Sequence, residues 1–118
     1  MTAIASRTWQ VVCTYDELLP ERGVCALVEG RDVAVFLLPS GEVFAVDDID
    51  PYCGVPVLSR GLVGSRGDAD VVFSPMYKQA FDLRTGIAVD EPEVRVATYS
   101  VRVVDGVVEL LGASAVAA

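Results

Sequence analysis

Tyr99-Ser-Val-Arg-Val-Val-Asp-Gly-Val-Val-Glu-Leu-Leu111 is the stretch that sets the fold class. Two valine-rich runs flank Asp105-Gly106, and Asp-Gly supplies the two positive-φ residues of a type I′ turn, whose twist matches that of paired strands. Residues 99–104 and 107–111 are therefore expected to form a β-hairpin. Upstream, further short apolar runs are closed by turn residues. Residues 24–28 and 32–38 read as a strand pair joined across Glu29-Gly30-Arg31, and Pro39-Ser40-Gly41 turns the chain into residues 43–47. Residues 9–13 read as a first strand and 70–73 as another. The valine and aromatic content of these runs suits a pleated sheet better than a helix. One helical turn is expected at residues 15–19, capped by Thr14 or Asp16 and stopped by Pro20.

Composition narrows the function classes. The chain has 118 residues, 53% of them hydrophobic, and a formal charge of −8. That length suits one globular domain, expected at residues 9–111 between a flexible N-terminus, 1–8, and a flexible small-residue tail, 112–118. The acidic balance has the wrong sign for holding nucleic acid through its phosphates. Histidine is absent, which removes Ser-His-Asp and Cys-His nucleophiles and every imidazole-ligated metal. Lys78 is the single lysine. The longest apolar run, residues 33–38, is far short of a membrane span, and the opening MTAIASRTW has no apolar run of the signal-peptide kind. A cytoplasmic protein without a membrane anchor is expected. Cys13, Cys25 and Cys53 form no CxxC pair. Cys13 and Cys25, lying in apolar runs, are expected as buried core thiols.

The middle of the chain differs from the ends. Pro51, Gly54, Pro56, Gly61, Gly64 and Gly67 interrupt regular pairing over residues 48–67, and a second interruption runs over 74–86. Two loops are thus expected to project from a rigid β scaffold, where function usually sits. Gly61, Gly64 and Gly67 are read as turn glycines, because the run leads into a strand and lacks a Walker lysine. The acidic clusters Asp47-Asp48-Asp50 and Asp90-Glu91-Glu93 follow no EF-hand spacing and are read as solvated charge.

Side by side, Asp50-Pro-Tyr-Cys-Gly-Val-Pro-Val-Leu58 and Ser74-Pro-Met-Tyr-Lys-Gln-Ala-Phe-Asp-Leu-Arg-Thr-Gly86 resemble the two cluster-binding loops of Rieske-type iron–sulfur domains. Pro51, Gly54 and Leu58 match scaffold positions of the first loop, and Pro75, Phe81, Thr85 and Gly86 those of the second. The resemblance implies an all-β, antiparallel sandwich or barrel with the two loops at one end. Where that family places two cysteines and two histidines, this chain has Asp50, Tyr52, Ser74 and Tyr77, and Lys78 stands in place of the glycine after the second histidine. Rieske chemistry needs thiolates on one iron and imidazoles on the other, so a domain without metal and without catalytic residues of its own is expected.

That departure resembles one branch, the small subunits of assimilatory NAD(P)H-dependent nitrite reductases, over nearly the whole chain. The resemblance implies a large-subunit partner that carries FAD, an iron–sulfur cluster and sirohaem and reduces nitrite to ammonium. Tyr52 and Tyr77 are expected to fill the space between the loops with ring area. The tip is expected to dock the partner through Tyr52, Cys53, Met76, Tyr77 and Lys78, a composition suited to a hot spot. The alternatives within this fold are a free-standing interaction module with another partner, an electron carrier with an unusual cluster bound by Cys53, Asp50, Ser74 and tyrosinate, and a self-contained enzyme or mononuclear metal site using Asp50, Tyr52 and Tyr77.

Overall fold

The computed structural model describes residues 8–76 and 78–111. The expectations for the tail, for residues 1–7 and for Tyr77 therefore fall outside the described residues. Twelve strands are present among the described residues: β1 Trp9–Thr14, β2 Val24–Val28, β3 Arg31–Leu37, β4 Val43–Asp47, β5 Ile49–Asp50, β6 Val55–Pro56, β7 Leu62–Arg66, β8 Ala69–Phe73, β9 Ala80–Asp82, β10 Thr98–Tyr99, β11 Val101–Val104 and β12 Val107–Leu111. They form sheets of order β1-β12-β11, β10-β4-β3-β2 and β7-β8-β9, plus the small β5-β6 hairpin. The only helical elements among the described residues are two 3₁₀ turns, Tyr15–Glu17 and Leu58–Arg60. No helix there is long and apolar enough to cross a membrane.

β3 lies at the centre of the molecule and explains its own sequence. Val33, Val35 and Leu37 pack with Val108 and Leu110 against the β1-β12-β11 sheet. Ala34, Phe36 and Leu38 pack with Leu58, Val72, Phe81 and Leu83 on the other side. Alternate side chains of a strand point to opposite faces, so a strand covered on both faces must be apolar throughout. The four-stranded sheet is thus the middle of three layers.

Local turn chemistry sets most strand ends. Asp105 and Gly106 have φ of 51° and 77°, the geometry expected of the type I′ turn between β11 and β12. The turn between β2 and β3 is tighter than its sequence suggests: Glu29 and Gly30, at φ 53° and 82°, complete it alone, and Arg31 already pairs with Val28. Tyr99 is a second correction. It pairs with Ala45 in the middle sheet as part of β10, and the hairpin begins at Val101. The chain switches sheets at Ser100, whose carbonyl accepts the Leu111 N–H at 3.0 Å.

The glycine run is the third correction. Residues 62–66 form β7, paired with β8 from Leu62–Phe73 to Arg66–Ala69, and only Gly67 sits in a turn, at φ 60°. Gly61 is required by crowding: a Cβ there would lie 2.2 Å from the Phe73 carbonyl oxygen. The second loop is also shorter than expected, because residues 80–82 pair with β8 and leave residues 74–79 as the projecting part. The predicted helical turn is confined to Tyr15–Glu17, with the Thr14 N–H donating to Glu17 Oε1 at 2.8 Å.

Candidate functional site at the two-loop tip

The first loop is closed by acidic residues turned inward. Asp48 is buried. Its carboxylate accepts the Ser59 N–H at 2.6 Å, and its carbonyl accepts the N–H groups of Val57 and Leu58 at 3.0 and 2.9 Å. Asp47 pairs with Arg31 at 2.8 Å and accepts the Tyr99 hydroxyl at 2.6 Å, and that burial and hydrogen bond raise the Tyr99 pKa. Asp50 is fully buried. The first acidic cluster is therefore structural, not solvated: Asp48 and Asp50 satisfy backbone donors that a tight turn leaves unpaired, and Asp47 satisfies the side chains of Arg31 and Tyr99. The second cluster does stay at the surface, with Asp90 bonded to Arg66 at 3.0 Å.

Asp50 and Ser74 meet at the base of the tip. The Ser74 hydroxyl donates to Asp50 Oδ2, and both residues are buried. The other carboxylate oxygen accepts the Tyr52 N–H at 2.8 Å, and the Asp50 carbonyl accepts the N–H groups of Cys53 and Gly54 at 3.2 and 2.7 Å. Ser74 Oγ in turn accepts the Met76 N–H at 3.2 Å. One hydroxyl–carboxylate bond thus joins two loops that are 24 positions apart, and backbone donors from both loops converge on it. Between Ser74 and Gln79 the second loop closes on itself, with Lys78 N–H donating to the Ser74 carbonyl at 2.9 Å. Lys78 is held at φ 61°, a left-handed conformation that costs a residue with a side chain roughly 1 kcal/mol.

The Tyr52 ring lies 6.1 Å from that of Phe81, and its hydroxyl donates to Glu91 Oε1 at 2.6 Å. That hydrogen bond, followed by burial and the charge of Glu91, pushes the Tyr52 pKa up to about 12. A third segment therefore braces the first loop, a contact that spacing alone does not reveal. Of the remaining expected site residues, Cys53 is half-buried, Met76 and Lys78 are exposed, and Tyr77 lies outside the described residues. Neither Cys13 nor Cys25 is a core thiol: Cys13 is half-buried and Cys25 exposed, since the in–out alternation of β2 places Cys25 outward. Partial desolvation of its sulfur and the hydrogen bond and charge of Asp48 push the Cys25 thiol up to about 11, so it is not a thiolate near neutral pH.

The donor set does not fit a Rieske cluster. Such a cluster takes two thiolates and two imidazoles, and the chain contains no histidine. Asp50 and Ser74 use their oxygens on each other and on backbone N–H groups. Cys53 brings a single thiol to the loop.

The scaffold itself is nonetheless that of a Rieske domain: residues 8–111 match the model of the Rieske-like [2Fe-2S] domain. The chain is 44% identical over 105 residues to the NADH nitrite reductase small subunit of Salmonella typhimurium, covering 88% of this chain and 97% of that protein. The solution structure of the Escherichia coli protein NirD superposes with a TM-score of 0.83 at 42% identity, covering 91% of this chain and 98% of that one. The nitrite reductase [NAD(P)H] large subunit of Klebsiella oxytoca contains a segment 38% identical to this chain over 104 residues, 88% of this chain and 11% of that protein. The chain belongs to the nitrite reductase small-subunit family of Rieske-like domains.

Proposed function

We propose that this chain is the small, non-catalytic subunit of an assimilatory NAD(P)H-dependent nitrite reductase, and that it docks on the large subunit through its two-loop tip. The observation that carries this reading is the 44% identity spanning 97% of a NADH nitrite reductase small subunit. The Klebsiella protein supports the choice of partner, because a like domain there forms part of a large-subunit chain. In this reading FAD, an iron–sulfur cluster and sirohaem reside on the large subunit and reduce nitrite to ammonium in the cytoplasm. The small subunit holds no cluster, and its docking unit is the domain of residues 9–111.

The Asp50–Ser74 bond gives the tip a physical rationale without metal. A buried hydroxyl–carboxylate pair is a charge-assisted hydrogen bond, stronger than a neutral one, and it holds the two loops in one arrangement before any partner arrives. Preorganisation of that kind lowers the ordering cost of association. Tyr52, Cys53, Met76, Tyr77 and Lys78 are the residues proposed to face the large subunit.

The test is a pull-down with the tagged chain from its source cells while they express the reductase, recording the visible spectrum of the eluate and its NAD(P)H-dependent nitrite consumption. A coloured flavin and sirohaem eluate that consumes nitrite is expected. A colourless eluate lacking a large flavoprotein overturns the subunit reading. An intact complex from the Tyr52→Ala/Tyr77→Ala double variant overturns docking through the tip.

A further inference from the structure

The tip has two unlike flanks. On one, the Tyr52 hydroxyl is already engaged by Glu91 and its ring rests near Phe81. On the other, Leu62, Phe73, Ser74, Pro75 and Lys78 line a cleft of about 260 Å³. Leu62 is 74% exposed, more than any other large apolar residue described. It stands at the first position of β7, opposite Phe73, the residue from which the second loop departs. Met76, on the same loop, is 49% exposed. An apolar side chain left this open beside an apolar cleft marks an interaction site more than a folding contact.

The same flank carries unpaired positive charge. Arg31, Arg66, Arg84 and Arg102 each have a carboxylate partner. Arg22, Arg60, Lys78 and Arg95 have no ion pair among the described residues. Lys78 lines the cleft, and Arg60 is two positions before Leu62 in the chain. In a chain of net charge −8, an acidic partner surface is repelled in most orientations, and Lys78, the cation that borders the apolar cleft, favours the orientation that brings such a surface onto it.

We propose that this cleft receives a bulky apolar side chain neighboured by a carboxylate, presented by the surface of the large subunit, with Leu62 as the apolar anchor and Lys78 as the pairing cation. The proposal rests on the subunit reading above and deepens it by naming the flank and the chemistry of the contact.

Titration of purified large subunit against the full-length labelled chain, followed by fluorescence anisotropy, tests it, with thermal melting confirming that each variant is folded. Leu62→Asp is expected to weaken binding more than about tenfold, in the range of a central apolar hot spot. Lys78→Glu is expected to weaken it about tenfold, Lys78→Ala about threefold, and Lys78→Arg less than about twofold, because the contact reads charge and not a bidentate geometry. Added salt weakens the wild type more steeply than Lys78→Ala. Leu27→Asp, at a position 72% exposed on β2, binds as wild type.

Wild-type affinity in both Leu62→Asp and Lys78→Glu overturns the cleft. If the Tyr52→Ala/Tyr77→Ala variant is weak at the same time, the tip still docks, by its other flank. An equal loss in Leu27→Asp also overturns the cleft, since the effect then follows any added charge. Should wild type fail to bind the large subunit at all, the subunit reading falls, and the cleft proposal falls with it.

Discussion

The two faces of β3 do different work. Toward the β1-β12-β11 sheet, Val33, Val35 and Leu37 meet Val108 and Leu110 in a contact that joins two sheets. Toward the other side, Ala34, Phe36 and Leu38 meet Leu58 and Phe81, residues that follow the two loops of the tip in the chain. The first interface is sheet against sheet. The second is the floor of the site, and directly beside it lie the buried polar groups Asp48, Asp50 and Ser74. The difference teaches that one strand can secure a fold and position a docking surface at once. Damage to its two faces is therefore expected to separate stability from binding.

Phe81→Ala should have the largest effect. It removes a fully buried ring and is expected to cost about 3–5 kcal/mol, read from the denaturant midpoint. Affinity for the large subunit should fall further than the folded fraction accounts for, because the ring supports Tyr52 and the second loop. Leu110→Ala, on the opposite face and equally buried, is expected to cost about 2–5 kcal/mol yet leave the affinity of the folded fraction unchanged. If Leu110→Ala weakens binding as much as Phe81→Ala, the two faces are not distinct.

Ser74→Ala comes next. It leaves one oxygen of the buried Asp50 and the Met76 N–H without their partner, at an expected cost of about 1–3 kcal/mol. Asp50→Ala removes the other half of the same bond, so a double-mutant cycle should give a loss well below the sum of the singles. Additive losses would mean that the two residues act separately and that no latch joins the loops.

Tyr52→Phe is expected to have the smallest effect, under about 1 kcal/mol at neutral pH, because the lost hydrogen bond lies at the surface. Its signature is pH dependence. The Tyr52 pKa is raised from 10.0 to about 12, chiefly by its hydrogen bond to Glu91, so the folded state favours the protonated phenol. The resulting stabilisation is complete below the unfolded value and is lost as pH rises through the folded one. Melting curves of wild type and Tyr52→Phe should therefore differ below pH 10 and converge by about pH 12. A difference that stays constant across that window would place the Tyr52 hydroxyl elsewhere.

Much of the scaffold is legible from neighbouring residues. Asp105-Gly106 and Glu29-Gly30 adopt the positive φ angles that their turn type demands, and β2 and β4 have the bounds their apolar runs suggest. Scaffold matches to Rieske loops at Pro51, Gly54 and Phe81 led to the right family. The site was less legible. Leu62 reads as part of a glycine-broken loop, although it opens a strand. Asp48 and Asp50 read as surface charge, although both are buried. The partner of the Tyr52 hydroxyl, Glu91, lies 39 positions away and leaves no local signal.

The physical reason is the range of the interactions. Turn type, strand propensity and in–out alternation depend on residues a few positions apart, so the sequence by itself determined the all-β class, the hairpins, the missing histidines and hence the unsuitability of the tip for a Rieske cluster. The Asp50–Ser74 bond, the burial of β3 on both faces and the cleft between Leu62 and Lys78 depend on segments that meet only after three layers have packed. Which carboxylates turn inward, and which apolar side chains remain outside, was decided by the tertiary structure.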